Sequence, residues 1–466
     1  MKFSCDNIQE PSIRKKLDRI NKIQSLATPP LCLPNIHPKE KLESPPQFVA
    51  STDGTIVPML SAPAMNCGMS VFTTSLTKND FSPEFLETFA KNIRKGAGPR
   101  RTSIEAFLTW FGWKDTHQSR YDLSVSELEN IFLYGAPAAI KKYNLPEQEL
   151  EHIEYGGSVL TEKERHAIQL NTIIPRSSYS NARHEMGYNF GGNHFLEFHT
   201  VEHIVNPHKA QALGLKEGQL LLFYHGGGGH ATYHLGRYFA RRKKNTPFQK
   251  FALFWLKALF HFSSTEGLQR FHLRWRYYFS RKPYPEIPLD SPEGQRLWQS
   301  IQLALNYGYA FRVALLRRIT DALPHGTVSF FWDAAHNSIR KELIDGQEMI
   351  VHRQDAVRVF PDKPIMITGL ATTLGCIGVG REGAQQSMWS ATPSATKVID
   401  EYIRAGRSIK ELPTRVSYIS KRKEPKLIVK EHMTSEGLFD VVEKLEKENI
   451  IEAVAYIRPL GGIKGH

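Results

Sequence analysis

The octapeptide Phe190-Gly191-Gly192-Asn193-His194-Phe195-Leu196-Glu197 decides how this chain is read. Two glycines let the backbone approach a neighbour closely, and an amide, an imidazole and a carboxylate follow at once. As a strand the segment alternates. His194 then shares a face with Leu196, while Asn193, Phe195 and Glu197 share the other, so both faces carry polar chemistry. Two readings stay open at this point: a glycine turn into an edge strand with a satisfied core histidine, or one wall of a binding site.

Composition narrows the choice. The chain has 466 residues, 41% hydrophobic and 23% charged, the profile of one large or several ordinary folded domains rather than of a disordered segment. Its 60 lysines and arginines against 47 acids leave a formal net charge of +13, which favours polyanionic partners such as nucleic acid or acidic lipid headgroups. Cys5, Cys32, Cys67 and Cys376 are few and scattered, so no disulfide framework is expected and a reducing, cytoplasmic compartment is. The first residues lack the apolar core of a secretory signal. The most apolar run, Phe248 to Phe262, is broken by Lys250 and Lys257 and is too short to span a bilayer. It reads as an amphipathic or buried helix, and no membrane partner is expected.

Residues 1–48 read as an N-terminal appendage: a basic amphipathic start, then a Pro-rich run that cannot hold regular structure. A single domain is expected over 49–466. Asp53-Gly54 between apolar stretches predicts a hairpin from Gln47 to Met59. Spacing predicts helices at Phe81–Lys95, Ser103–Trp113, Ser124–Tyr134 and Pro137–Tyr143, and a strongly helical stretch opened by Pro288 to Arg296 and continuing to about Ile319. The basic glycine stretch from Arg94 to Arg101 is a weak phosphate-cradle signal. Leu220 to Tyr224 reads as a buried strand that delivers His225 to the loop Gly226–Gly229. Those four glycines read as backbone hugging an anion or a metal-bound group, with no packing purpose; a long surface loop is the alternative.

From about 231 to 284 the chain turns basic and aromatic. Arg237, Arg241, Arg242, Lys243 and Lys244 are candidates for RNA phosphates, with nearby rings to stack on bases; the alternative is a helix whose rings are core and whose cations face solvent. Phe330 to Ala335 delivers a further histidine, His336. Cys67, His194, His225 and His336, each at a strand end or turn, form a candidate constellation for a borderline-soft metal.

The order of segments resembles that of the RtcB RNA ligases, from about residue 50 to the end. The matching pieces are Asn66-Cys67-Gly68, Gly191 to Glu197, His225 with its glycine loop, and Asp290-Ser291-Pro292-Glu293-Gly294-Gln295 followed by Asn306-Tyr307. Ala335-His336-Asn337, His352-Arg353 and Arg458 to Gly465 complete the series. The resemblance implies one large α/β domain with mixed sheets around a central metal pocket. It also implies joining of RNA 3′-phosphate or 2′,3′-cyclic phosphate ends to 5′-hydroxyl ends with GTP and manganese, as in RNA repair and tRNA splicing. Cys67 would bridge two metal positions, with His225 and His336 completing one and His194 in the other. Asn193, Glu197 and Lys464 would contact the guanine nucleotide.

The departures bear on activity. Ala64 stands where the family has a metal-ligating aspartate, and Pro393 where it has the histidine that carries the guanylate. Proline offers no nucleophile. The family's nucleotide loops read Thr368-Gly369-Leu370 and Ser435-Glu436-Gly437 here. One ion rather than two is therefore expected, and use of GTP is in question. Three functions remain: a ligase with rerouted chemistry, an RNA-end-binding pseudoenzyme with one metal, and a metal-dependent phosphohydrolase that does not use GTP.

Overall fold

In Leu220-Leu221-Leu222-Phe223-Tyr224, alternation puts Leu220, Leu222 and Tyr224 on one face and Leu221 and Phe223 on the other. Both sets are apolar, so the strand belongs in a sheet covered on both sides. The computed structural model describes residues 3–40, 42–61, 64–95, 119–174, 178–188, 190, 192–229, 231–232, 238–239, 246–280, 282–407, 410–420 and 426–464. In it Leu220, Leu222 and Tyr224 join one core with Phe72 and Phe198. Leu221 and Phe223 join a second with Met69, Val71 and Trp332.

The strands are β1 (Leu31–Cys32), β2 (Phe48–Thr52), β3 (Thr55–Ile56), β4 (Gly68–Thr77), β5 (Phe195–Ile204), β6 (Gln219–Gly226), β7 (Ile287–Pro288), β8 (Val328–Ala335) and β9 (Asn337–Ile344). They continue with β10 (Gln347–Gln354), β11 (Val357–Arg358), β12 (Pro364–Ile367), β13 (Gly375–Gly380), β14 (Ser390–Ala391), β15 (Glu411–Ser420), β16 (Leu427–Met433) and β17 (Ile451–Lys464). The large sheet runs β12-β13-β17-β5-β6-β4-β8, with β15 parallel to β17 and β16 beside β15. A second sheet runs β1-β2-β10-β9. The fold is thus a mixed α/β domain, as expected. The central strands β5, β6, β4 and β8 bring His194, His225, Cys67 and His336 to one end of the sheet, because each residue lies at or just beyond the end of one of them.

Ser291 accepts a hydrogen bond from Gly294 N–H and Pro292 occupies the first turn, a start signal that opens the helix Pro292–Ala322. This helix is buried along most of its length. Its interior asparagine is satisfied, since Asn306 accepts from Val159 N–H at 2.9 Å and donates to the Phe132 carbonyl at 3.0 Å. Helices Thr396–Arg404 and Glu436–Lys447 contribute to the second core. Helices also form at Pro83–Arg94, Val125–Tyr134 and Ala136–Tyr143, where spacing places them. The helix expected over 103–113 and the glycine stretch over 96–101 lie outside the described residues.

Three expectations need correction. Asp53-Gly54 does turn the chain, but β2 and β3 do not pair: β2 joins β1 and β10, while β3 joins β7. Long-range partners outcompete the local hairpin. The Pro-rich run holds regular structure at Leu31 and Cys32, whose strand pairs with Phe48 and Val49. Finally, Cys5 and Cys32 form a disulfide, leaving Cys67 and Cys376 as free thiols. Ile13, Leu17 and Ile20 of the first helix pack with Phe48, Ala50, Val57 and Tyr284 in one small core. Among the described residues, no helix is long and apolar enough to cross a membrane.

Candidate metal centre

The turn before β4 is shaped by its neighbours. Asn66 takes the left-handed conformation (φ 51°), which asparagine tolerates, and is fully buried. Its amide is held from both sides: Nδ2 donates to the Leu305 carbonyl at 2.5 Å, and Oδ1 accepts from Arg312 at 2.9 Å. Arg312, buried in the central helix, pairs with Asp333 of β8 and also reaches the Asn66 carbonyl at 3.2 Å. A Cβ at position 68 would come within 2.6 Å of the Arg312 guanidinium and 2.7 Å of the Ala334 carbonyl, so this position requires glycine. Asn66 and Gly68 thereby fix Cys67 between them.

Cys67, His225 and His336 converge, their ligand atoms all within 4.8 Å of one another. His225 Nε2 and His336 Nε2 are 3.2 Å apart, and Cys67 Sγ is 3.8 Å from His225 Nε2. Each ring is aimed by an acceptor behind it. His225 Nδ1 lies 3.4 Å from the Asn193 carbonyl, and His336 Nδ1 lies 2.8 Å from the Asp355 carboxylate. Asp355 is itself fixed, its N–H donating to Asn337 Oδ1 at 2.9 Å. Burial opposes ionisation of Cys67, but nearby His336 and the side-chain contacts with His194, His225 and His336 outweigh it and hold the thiol well below its ordinary range. Burial likewise opposes charge on His336, yet Cys67 and Asp355 raise its pKa to about 10.

Bond lengths of about 2.1 Å to nitrogen and 2.3 Å to sulfur around a tetrahedral ion place two nitrogens about 3.4 Å apart and a nitrogen and a sulfur about 3.6 Å apart. The observed 3.2 and 3.8 Å match that spacing, so one thiolate and two imidazoles fit one divalent ion. His194 stands beside this trio. Its Nε2 is also 3.8 Å from Cys67 Sγ, which places the thiolate between two histidines, but that nitrogen already accepts from Gly227 N–H at 3.2 Å. Ala64 contributes its carbonyl to Cys67 N–H at 3.1 Å, and its methyl offers no ligand.

The glycine loop has a more ordinary explanation than the sequence indicates. A Cβ at Gly226 would collide with Tyr224, at Gly228 with Thr232 and the Gly308 backbone, and at Gly229 (φ +72°) with Glu185. Packing therefore requires three of the four. Gly227 alone faces the site, its Cβ position being 3.8 Å from Cys67 Sγ and 3.5 Å from His194.

Of the nucleotide candidates, Glu197 and Lys464 meet. Lys464 Nζ lies 3.3 Å from the buried Glu197 carboxylate and 4.2 Å from the centre of the Tyr418 ring, while His199 Nε2 holds the other carboxylate oxygen at 3.1 Å. Burial works against the charge on Glu197, and His199 and Lys464 still keep its pKa lowered. Asn193 is exposed and reaches the metal trio through its carbonyl. Pro393 is buried, its carbonyl accepting from Thr368 N–H at 2.9 Å. The flanking hydroxyls are engaged too. Thr392 donates to the Ser394 carbonyl at 2.7 Å, and Ser394 Oγ accepts from Asn35 at 3.0 Å. Asn35 Oδ1 also accepts from Lys397 and Val398 N–H at 2.7 and 3.1 Å, capping the following helix from a distant part of the chain.

The RNA candidates Arg237, Arg241, Arg242, Lys243 and Lys244 lie outside the described residues, as does Gly191. Sequence reasoning did not single out Asp355, Arg312, Asp333 or Asn35 as parts of a site. Asp355 carried one usable signal, following closely on the matched pair His352-Arg353.

A family model described as tRNA-splicing ligase RtcB matches residues 17–465. The curated protein "tRNA-splicing ligase RtcB" of Pyrococcus horikoshii is 25% identical over 442 residues, covering 86% of this chain and 44% of its own length. Its namesake in Pyrococcus abyssi is 24% identical, covering 86% of this chain and 42% of its own length. That of Thermococcus kodakarensis is 22% identical over 449 residues, covering 89% and 82%. The chain thus spans less than half the length of the two Pyrococcus proteins.

Proposed function

This chain belongs to the RtcB family, and from that premise we propose that it binds phosphate-bearing RNA ends at a single divalent-metal centre without forming a covalent guanylate. One observation carries the reading: Cys67, His225 and His336 retain the donor set and spacing for one ion, while position 393 holds a buried proline with both neighbouring hydroxyls engaged. When bound, a divalent ion supplies a positive charge for a terminal or cyclic phosphate. Around it Gly227 allows close approach, Asp355 keeps His336 Nε2 pointed inward, and Asn193 does the same for His225. Manganese is the ion the family resemblance implies, although one thiolate with two imidazoles suits zinc as well. Glu197 and Lys464, which the family resemblance would make nucleotide contacts, are paired with each other, and GTP binding there would have to part them.

A second reading has its own support. Three protein ligands leave a position open on a four-coordinate ion, the arrangement of metal-activated hydrolysis, and a 2′,3′-cyclic phosphate is a suitable substrate. Both readings are tested by one comparison of RNAs ending in 3′-phosphate, 2′,3′-cyclic phosphate or 3′-hydroxyl, with and without chelator, plus a 5′-hydroxyl acceptor. End binding predicts a preference for the phosphate ends that chelation abolishes, with the RNA recovered unchanged. Opening of the cyclic ester would favour the hydrolase, and a joined product would return the protein to the ligases.

A further inference from the structure

The helix Pro247–Phe262 is turned inside out. Lys257 is buried and donates to the Tyr278 carbonyl at 3.1 Å, and His261 is fully buried, stacked on Tyr278 with ring centres 4.2 Å apart. The opposite side carries Phe248, Phe251, Trp255 and Leu259 at exposures of 78, 65, 53 and 52%. These positions recur at helical spacing and form one stripe. The stripe continues onto the next helical segments. Phe251 lies 6.4 Å from Trp255, Trp255 lies 5.6 Å from Phe254, and Phe254 lies 6.4 Å from Trp275, which stacks on Phe271 at 5.6 Å. A polar network binds this unit to the central helix alongside an apolar seam, in which Tyr278 joins the main core and Phe260 and Phe279 pack against it. Arg274 and Arg296 both pair with fully buried Glu293 at 2.9 Å, and Tyr278 donates to it at 2.9 Å. A contiguous apolar surface of this kind marks an interaction site.

We propose that this face docks on a bilayer surface bearing anionic headgroups, with the helix lying in the interface. The charge pattern selects that occupant. From Thr246 to Lys282 the sequence holds one acid, Glu266, against seven lysines and arginines; Lys257 and Arg274 are buried inside the unit, while Lys250, Arg276 and Lys282 are exposed. Rings and aliphatic side chains that enter the acyl boundary beside cations that meet headgroups are the components of an interfacial helix. A second copy seated symmetrically on the same face would set these cations against themselves. Single-stranded RNA would leave Leu256, Leu259 and Leu268, exposed at 41, 52 and 62%, without a stacking partner. The expectation of no membrane partner rested on the lack of a spanning run, which does not bear on a helix lying along the surface.

The test is co-sedimentation of the full chain with vesicles of phosphatidylcholine alone and of phosphatidylcholine mixed with phosphatidylserine. Binding to the mixed vesicles should be stronger by about tenfold or more, and Lys250→Gln with Arg276→Gln and Lys282→Gln should remove that preference. Phe251→Ser with Trp255→Ser and Leu259→Ser should lower binding about tenfold or more, with thermal unfolding unchanged because these side chains are exposed. Brominated acyl chains should quench tryptophan fluorescence in the wild type and not in the Trp255→Phe, Trp275→Phe protein. Failure to sediment, sedimentation unaffected by the serine substitutions, or equal quenching in both proteins would overturn the proposal. So would a wild-type dimer that the serine variant dissolves, or loss of single-stranded RNA binding in that variant without any vesicle binding.

Discussion

The turn at Cys67 and the loop at Pro393 are built alike and do different things. Each is held by a buried asparagine at positive φ, Asn66 in one and Asn35 in the other, whose amide bridges distant parts of the chain. At the first turn the support aims a sulfur at two imidazole nitrogens. At the second, the same kind of support ends on backbone N–H groups and a serine hydroxyl, and the supported residue offers only a carbonyl. Preserved scaffolding is therefore no measure of preserved chemistry, which depends on the atom presented.

Removing that atom should have the largest effect. Cys67→Ala should lose bound metal altogether, while the wild type carries close to one equivalent by elemental analysis; equal contents would dissolve the contrast between the two loops. Next comes a histidine that serves structure alone. His352 is fully buried, accepts from Val57 N–H at 3.1 Å and keeps its other nitrogen 3.1 Å from the Ile350 carbonyl. Burial, as the largest effect, lowers its pKa from 6.5 to about 4. As pH falls from 6.5 to 4 the unfolded chain takes up a proton that the folded one refuses, so stability drops, by on the order of 3 kcal/mol at most. Denaturant titrations of His352→Gln should lack that component of the acid slope, whereas a metal-site variant should keep it.

Asp355→Asn keeps a group beside His336 Nδ1 but removes the charge, and should weaken metal affinity about 10- to 100-fold in competition with a chelator. An unchanged affinity would show that the trio needs no outer support. At the other loop, Asn35→Gly tolerates the φ of 71° but deletes the side-chain hydrogen bonds to Lys397 and Val398, and should destabilise the protein by about 1 kcal/mol with metal content untouched. The smallest expected effect is none. Wild type incubated with labelled GTP and manganese should retain no label after denaturation. Pro393→His alone should retain little, because Ala64 still lacks a carboxylate, and adding Ala64→Asp should retain more. A label mapped to any wild-type side chain would erase the distinction drawn here.

Sequence reading reached as far as local signals extend. Apolar runs ending in histidine marked the strands that meet at the site, and the spacing of Trp298, Ile301, Leu305 and Tyr309 after Pro288 to Arg296 marked the long helix, because periodicity is written in neighbouring residues. Pairings across hundreds of residues left no such trace. Nothing near Asn66 announces Arg312, nothing near Pro393 announces Asn35, and Asp53-Gly54 suggested a hairpin that other strands displaced. The glycine loop misled for the same reason, since the crowding by Tyr224, Thr232 and Glu185 exists only after folding. On the Phe248–Phe262 helix the pattern was readable but not its direction, as either face of an amphipathic helix can be the inner one.

The ligands of the proposed ion come from positions 67, 225 and 336, and the carboxylate that steadies the last of them comes from 355. A chain emerging from the ribosome has only two of those ligands until β8 and the turn after it have appeared, and the Asn66 turn gains its clamp from Arg312 only shortly before. Capture of the proposed ion would thus wait for β8 and the residues after it, and a protein truncated before residue 336 would lack one of its three ligands.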